Sequence, residues 1–406
     1  MNKRILFLAP YSIPTNNPEA ICNAKLLEVL SNAGYIIDVV SKNNLSAYVP
    51  NMSELRFTSK LSSLKIFYLS NVVNRQTIWG HIRVLLKTGY VYKGAHWAYY
   101  AITYSEKLIK ANHYDWIMSH NPSSELAALY LSKKFGIKWI ANWNDPYPEK
   151  RMPKPYGGGP VAKLSFFERH LLKEVTRCAT WHTFPSERQR CYMEQYMLGM
   201  KNVKIIPHVC LPDVVSLDDT VNEDRALRIV HSGNVSYPRD PKTFIEGVKI
   251  FILKNPKASI EIFFIGKQDS DFIRLVQKKK LTGVIKMVQP MNYMDNLVFI
   301  SKNDVALLIE APVEEGIFLP TKVGDYMQCG KEIFAVSPHV GQMHDLFNEK
   351  KIEYYADCTD AQEIASQLEK IYMKKDEYLK RKCKKEIIKE YSAESILDAY
   401  NQILNS

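Results

Sequence analysis

The segment Glu314-Glu315-Gly-Ile-Phe-Leu-Pro320-Thr-Lys322-Val-Gly-Asp325-Tyr-Met-Gln-Cys-Gly330-Lys331 directly follows an apolar run ending at Ile309, and no other stretch offers as many groups able to do chemistry. Pro320 at its start and Gly330 past its end delimit a short helix: proline presets the first turn, and glycine allows a left-handed exit. A helix start presents unpaired N–H groups to an anion such as a diphosphate. Lys322 on the first turn and Asp325 three residues later share a face, so a cation and a carboxylate would meet one bound group. A solvated helix start is the competing reading.

Two other places add to this set. His231-Ser-Gly233-Asn234-Val-Ser-Tyr-Pro-Arg239-Asp-Pro-Lys242 and Phe263-Phe-Ile-Gly266 are apolar runs that end in glycine, the first followed by cations. Arg239 and Lys242, with Lys322, could neutralise a diphosphate, because guanidinium and ammonium groups both suit phosphate oxygens. In the first half, Ser119-His120-Asn121-Pro122 and Trp143-Asn-Asp145-Pro146 end apolar runs and place His120 and Asp145 where an acceptor could be handled. A structural histidine and a turn-forming Asp-Pro compete with that reading. Asp269-Ser-Asp271 has the spacing of a metal-nucleotide motif, but it opens a helical stretch and reads as an N-cap.

These residues need strand ends to hold them. Residues 4–9 form a strand-length run, Asn17-Pro18-Glu19 a helix start, Gly34 a helix stop, and residues 35–40 a second strand: one βαβ unit. The pattern recurs at 115–120, 123–134 and 137–141. A second series has strand-like runs at 228–233, 258–265, 284–288, 304–309 and 332–336. The fold expected is α/β, two facing Rossmann-like doubly wound domains, with ligands at the carboxyl ends of the strands. Boundaries are placed at 1–210, a linker at 211–226, a second domain at 227–390, and a terminal helix at 391–406 packing back toward the first domain. The stretch 146–160, rich in proline and holding Gly157-Gly-Gly159, reads as a mobile loop near a cleft.

Composition narrows the class. The chain has 406 residues, 46% hydrophobic and 24% charged, which fits a folded protein with room for two cores. A net charge of +11 suits a phosphate-bearing partner. Seven scattered cysteines without a C-x-x-C pair favour a reducing compartment. The five apolar residues before Pro10 are too few for a signal-peptide core, and no apolar run approaches the roughly 20 residues of a membrane span. Residues 60–110 mix eight Lys and Arg with the single acid Glu106 and with Trp79, Tyr90, Tyr92, Trp97, Tyr99 and Tyr100. That mixture suits a membrane surface or a lipid-diphosphate acceptor; a half-buried pair of helices is the alternative.

The segment 314–331 resembles the donor-site motif of family 4 retaining glycosyltransferases, which carry a glutamate, a Gly-rich apolar stretch, and a second glutamate on a helix closing in glycine. Asp325 falls on the second acid and Gly330 on the closing glycine. The spacing leaves Ile317 at the first acid's place, so Glu315 or Glu314 stands in. Gly233 and Gly266 match the family's strand-ending glycines, and Asn234 replaces its arginine. The resemblance implies the glycosyltransferase-B fold and a retaining sugar transfer from a nucleotide-activated donor to an acceptor hydroxyl, such as a lipid-linked saccharide in cell-surface polysaccharide (lipopolysaccharide or capsule) synthesis. It assigns Lys322, Arg239 and Lys242 to the diphosphate, Asp325 to the ribose, Glu315 to the sugar, and His120 and Asp145 to the acceptor. No metal and no cofactor beyond the nucleotide-sugar donor are expected. A cytoplasmic location is expected, with residues 60–110 raising peripheral contact with the inner face of the cell membrane. Three alternatives stay open: a nucleotide-sugar epimerase of the same fold, an inactive donor-binding partner protein, and a nucleic-acid binder, the last disfavoured because no nucleic-acid motif accompanies the basic stretch.

Overall fold

A computed structural model describes residues 3–13, 17–42, 63–69, 78–92, 94–120, 123–211, 225–380 and 387–406. The chain divides into two compact units, residues 1–209 with 392–406, and residues 210–391. Most of the expected linker, and Asn121-Pro122, lie outside the described residues.

Unit 1 runs β1 (Arg4–Leu8), α1 (Pro18–Asn32), β2 (Ile36–Lys42), β3 (Leu64–Leu69), α2 (Ile78–Thr88), α3 (Ala95–Ala111), β4 (Trp116–His120), α4 (Ser124–Phe135), β5 (Lys138–Asn142), α5 (Phe166–Cys178), β6 (Trp181–Phe184), α6 (Glu187–Glu194) and β7 (Val203–Ile205). Its sheet has the order β3-β2-β1-β4-β5-β6-β7, with the recorded pairings parallel. The start of α1 follows its sequence signal: the Asn17 side chain accepts from the Ala20 N–H at 2.8 Å, with Pro18 as the first helical residue.

Unit 2 runs β8 (Leu227–Ser232), α7 (Lys242–Lys254), β9 (Ile260–Ile265), α8 (Ser270–Lys278), β10 (Ile285–Val288), α9 (Tyr293–Ser301), β11 (Val305–Ile309), α10 (Lys322–Gln328), β12 (Glu332–Ser337), α11 (Gln342–Asn348), β13 (Tyr354–Asp357), α12 (Ala361–Met373) and α13 (Lys375–Lys380). The strand order β10-β9-β8-β11-β12-β13 is again parallel. Its core joins Ile229, Ile262, Phe264, Leu307 and Phe334 from the strands with Phe244, Val248 and Phe251 of α7 and Ile364, Leu368 and Ile371 of α12. Parallel strands covered by helices must be apolar throughout, which is why β1 and β11 read as unbroken apolar runs.

Each sheet reverses its order of growth once, between β1 and β4 and between β8 and β11. Such a switch point leaves a crevice at the carboxyl ends of the strands, where doubly wound folds bind ligands.

The last helix, α14 (Ala393–Leu404), returns to unit 1. It buries Ile396, Tyr400, Ile403 and Leu404. The Trp116 indole N–H donates to the Leu404 carbonyl at 3.0 Å, and the Tyr35 hydroxyl to Asn401 Oδ1 at 2.6 Å.

Two local readings need correction. The stretch 146–160 is wound rather than open: residues Glu149–Arg151 form a turn of 3₁₀ helix, and the Gly157, Gly158 and Gly159 amides donate to the carbonyls of Pro153, Lys150 and Met152. A Cβ at Gly157 would lie 2.7 Å from the Glu149 carbonyl, so its glycine is required by close packing of the turn on itself. The donor-motif helix α10 begins at Lys322, not at Pro320, whose carbonyl accepts from the Val323 amide in the turn before it.

Candidate functional site

In unit 2 the switch point between β8 and β11 gathers most of the residues singled out above. The chain leaves β8 through Gly233 at φ +108° and leaves β9 through Gly266 at φ +127°, conformations that suit glycine. A Cβ on Gly266 would come within 2.8 Å of Asn234 Oδ1, so the two loops lie against each other. Asn234, at the place of the family's arginine, acts as a clasp: its Oδ1 accepts from the Lys267 amide at 2.8 Å. Gln268 repeats the tie, accepting from the Val235 amide at 2.9 Å.

Helix α10 supplies the charge. Lys322, Asp325 and Tyr326 stand three and four residues apart and therefore share one face. The buried Tyr326 hydroxyl accepts from the Ser232 amide at 3.1 Å and donates to the Leu307 carbonyl at 2.9 Å, fastening α10 to the end of β8 and the middle of β11. With α10 so placed, a Cβ at Gly233 would lie 2.9 Å from Lys322 Nζ. The lysine ammonium thus fills the space that a side chain on the β8 exit would take.

Around Lys322 the electrostatics are unusual. His231 is fully buried; its Nδ1 donates to the Leu307 carbonyl at 3.0 Å, leaving Nε2 to accept from Lys322 Nζ at 3.4 Å. Burial, with Lys322 and Arg239 close by, pushes His231 well below its ordinary range, so it is neutral. Burial and the neighbouring Arg239 guanidinium push Lys322 down to about 7, against the pull of Asp325 and Glu310. Asp325 accepts from the Tyr293 hydroxyl at 2.6 Å. Glu310, the first residue past β11, has its carboxyl pushed up to about 7 by burial, although Arg239 and Lys322 favour its charge.

Lys242 is exposed and pairs with Asp240 at 3.1 Å. Glu315 lies in a loop held by its neighbour: the Gly316 amide donates to the Val340 carbonyl at 2.9 Å, and the Gly316 carbonyl accepts from Gln342 at 2.7 Å. Asp269 stands at the N-cap of α8 without making the side-chain cap bond, and Asp271 pairs with Arg274 at 2.6 Å. Among the described residues no group of three or more His, Cys, Asp or Glu could hold a metal ion.

Unit 1 has a second polar set at its own switch point. His120, at the end of β4, is fully buried and stacks on Phe7 with ring centroids 4.1 Å apart. Burial pushes it down to about 3, so it is neutral, and its Nε2 has no hydrogen-bond partner. Asn142 Nδ2 donates to His120 Nδ1 at 3.1 Å and to Asn144 Oδ1 at 3.0 Å, and Asn144 Nδ2 donates to Glu19 Oε2 at 2.9 Å. Burial raises Glu19 to about 8, with Asp145 and Glu125 adding to the shift. Glu125 is likewise raised to about 7 by burial. Asp145 is exposed to solvent, yet the protein around it also raises its carboxyl.

Sequence reasoning missed Glu310, Glu19 and Glu125. Glu310 carried a signal, as the first polar residue after a five-residue apolar strand. Glu19 was assigned only to the first turn of α1, because acids there ordinarily face solvent. Glu125 gave none, since its burial depends on how α4 packs.

The basic aromatic segment divides in two. Tyr90 and Trp97 are buried, which corrects their reading as interfacial residues, and α3 is a half-buried helix with Trp97, Ala98, Ala101 and Ile102 on its inner face. Helix α2, by contrast, buries only Val84 and exposes Trp79 (73%) and Leu86 (82%) beside Ile78, Ile82 and Leu85. Lys60, Arg75 and Lys93 lie outside the described residues. No helix among the described residues is long and apolar enough to cross a membrane.

No family model matches the chain, and no curated protein matches it. Solved structures do. HepE from Anabaena in complex with UDP and glucose is similar over 100% of both chains, with a TM-score of 0.67 at 11% identity. Sucrose-phosphate synthase from Thermosynechococcus elongatus also has a TM-score of 0.67, at 13% identity over 100% of this chain and 98% of its own. WaaG, a glycosyltransferase involved in lipopolysaccharide biosynthesis, gives 0.62 at 12% identity over 99% and 100%. At such identities the likeness establishes the fold: two Rossmann-like domains of the glycosyltransferase-B kind.

Proposed function

We propose that this chain is a glycosyltransferase that takes a sugar from a nucleoside diphosphate donor, with unit 2 holding the donor. The observation that carries the reading is the Lys322 ammonium set against Gly233 at the β8 switch point, with Arg239 beside it. Two cations over a glycine-lined strand exit suit a diphosphate, whose oxygens take both. Neighbours of the same fold are solved with UDP and glucose, which makes UDP the first base to try.

In this reading Lys322 and Arg239 stabilise the leaving diphosphate, Asp325 takes the ribose, and Glu315 the sugar hydroxyls. Positioned charges of this kind stabilise a leaving group without a metal ion. The resemblance to family 4 supports retention, in which the departing phosphate assists deprotonation of the acceptor. Acceptor handling is assigned to unit 1. There His120, being neutral, can only exchange hydrogen bonds, Asp145 orients the acceptor hydroxyl, and Glu19, protonated below about pH 8, can donate a hydrogen bond, while the proton itself goes to the departing phosphate.

Thermal unfolding with UDP, GDP, CDP, ADP and dTDP tests the donor site. UDP without added metal is expected to raise the midpoint selectively, and at about 100 times its dissociation constant to contribute roughly 2.7 kcal/mol. The reading fails if no diphosphate shifts the midpoint.

The face of α2 supports a lipid-linked acceptor reached from a membrane surface, since exposed Trp and Leu beside Arg83 suit the headgroup boundary. Binding to sedimented vesicles containing anionic lipid is expected, and the double substitution Trp79→Ser with Leu86→Ser should reduce the bound fraction at least about tenfold, given the apolar area lost. Equal sedimentation of the variant would remove this part of the proposal.

A further inference from the structure

Glu310 belongs to no motif in the chain, yet it stands where the charge is densest. Its amide donates to the Val336 carbonyl at 3.0 Å, which fixes the residue at the sheet edge beside β12. Its Oε2 is buried and makes no hydrogen bond. The charged groups facing it are Lys322 from α10 and Arg239 from the β8–α7 loop; the Ser337 hydroxyl at the end of β12 lies alongside. Tyr355 on β13 and Cys358 just past it feel its charge from the other side, and neither is ionised near neutral pH.

A buried carboxylate oxygen without a hydrogen bond is costly unless opposite charge compensates it. Here the compensation comes from Lys322 and Arg239. Those two cations in turn repel each other. Lys322 also faces neutral His231 and the Asp325 carboxylate, which favours its charge more than Glu310 does and accepts from the Tyr293 hydroxyl. Two carboxylates, Asp325 and Glu310, therefore offset the two cations, and Glu310 is the one with a buried oxygen that makes no hydrogen bond.

We propose that Glu310 is a positioning residue for the donor diphosphate: together with Asp325, its buried carboxylate holds the Lys322 ammonium at the β8 exit, ready for the ligand. The inference rests on the donor-site reading above, because it supposes that Lys322 serves a phosphate. Above about pH 7 Glu310 is ionised and supplies this field. Replacing it with glutamine removes the field without removing the shape, so Lys322 should lose its proton at lower pH.

Two measurements on Glu310→Gln and Glu310→Asp test this. The first titrates the Lys322 amine by pH-dependent trace acetylation, read on its peptide by mass spectrometry. Its midpoint should fall by about one pH unit or more in Glu310→Gln and return most of the way in Glu310→Asp, as expected for a lost or kept neighbouring charge. The second measures UDP binding against pH. Glu310→Gln should bind about tenfold more weakly at pH 8 and within about twofold of the parent at pH 6, a difference that loss of structure alone would not confine to one end of the range. An unchanged Lys322 midpoint in folded Glu310→Gln overturns the inference, as does tighter UDP binding by that variant at every pH, which would mean that the carboxylate merely repels phosphate. If the midpoint falls but the parent binds no nucleoside diphosphate, the donor-site reading has failed, and the phosphate role goes with it.

Discussion

Lys322→Ala is expected to lower kcat/KM for the donor by about 10²–10³-fold, a loss of roughly 3–4 kcal/mol in transition-state stabilisation. The loss should fall on kcat more than on KM, because charge on the diphosphate oxygens grows as the glycosidic bond breaks. Donor hydrolysis with water as acceptor measures it without knowing the natural acceptor. The substitution relieves the repulsion of Arg239 but takes away part of the charge that compensates buried Glu310, so the unfolding midpoint of the variant is measured alongside its activity. The parent has a second signature. Lys322 is pushed down to about 7, so its useful, protonated form is complete below that value and is lost as pH rises through it. A decline of activity on the alkaline side that disappears in Lys322→Ala would identify this group. A kcat/KM within threefold of the parent would instead show that the ammonium does not touch the reacting phosphate.

The second large effect is expected in unit 1 and concerns stability. Glu19 stands at about 8 against an ordinary value of 4.5, so the folded protein binds a proton there that the unfolded chain releases. Stability therefore falls as pH rises from about 4.5 to about 8, and the full penalty stands above that range. The ceiling on that penalty is about 5 kcal/mol, and partial solvent access leaves about 2–3 kcal/mol. Glu19→Gln should thus unfold at higher temperature than the parent at pH 8.5 and match it at pH 4. If the stabilised variant also loses transfer activity while still binding UDP, the strain at Glu19 serves the acceptor step. Identical stability profiles would show that solvent reaches this carboxyl freely.

The alternation of apolar runs with helical periods made both doubly wound sheets legible, because central parallel strands must be apolar on both faces. Strands β3, β6, β7 and β13 escaped that reading for separate reasons. β3, β7 and β13 are edge strands, and β3 and β7 are only half-buried. β6 is four residues long and buries His182 and Thr183 through partners rather than apolarity: Trp143 Nε1 donates to His182 at 3.1 Å, and Thr183 donates to Asn142 at 2.7 Å. The donor cations were legible in part. Lys322 and Arg239 do share one field, whereas Lys242, only three residues beyond Arg239, starts α7 facing solvent. Sequence distance could not separate them, since a turn decides which way each side chain leaves the chain. Burial that raises Glu19, Glu125 and Glu310 depends on neighbours far away in sequence, and no local pattern reports it.

Helix α14 has a consequence for how the protein is made. It is translated after all of unit 2, yet it caps unit 1, where its Tyr400 hydroxyl reaches Asn142, the residue that also donates to His120. On the ribosome, unit 2 can finish folding first, while the earlier-synthesised unit keeps an apolar face open until Ala393–Leu404 has emerged. A stop codon before Ala393 would therefore damage the unit that is made first rather than the one just completed.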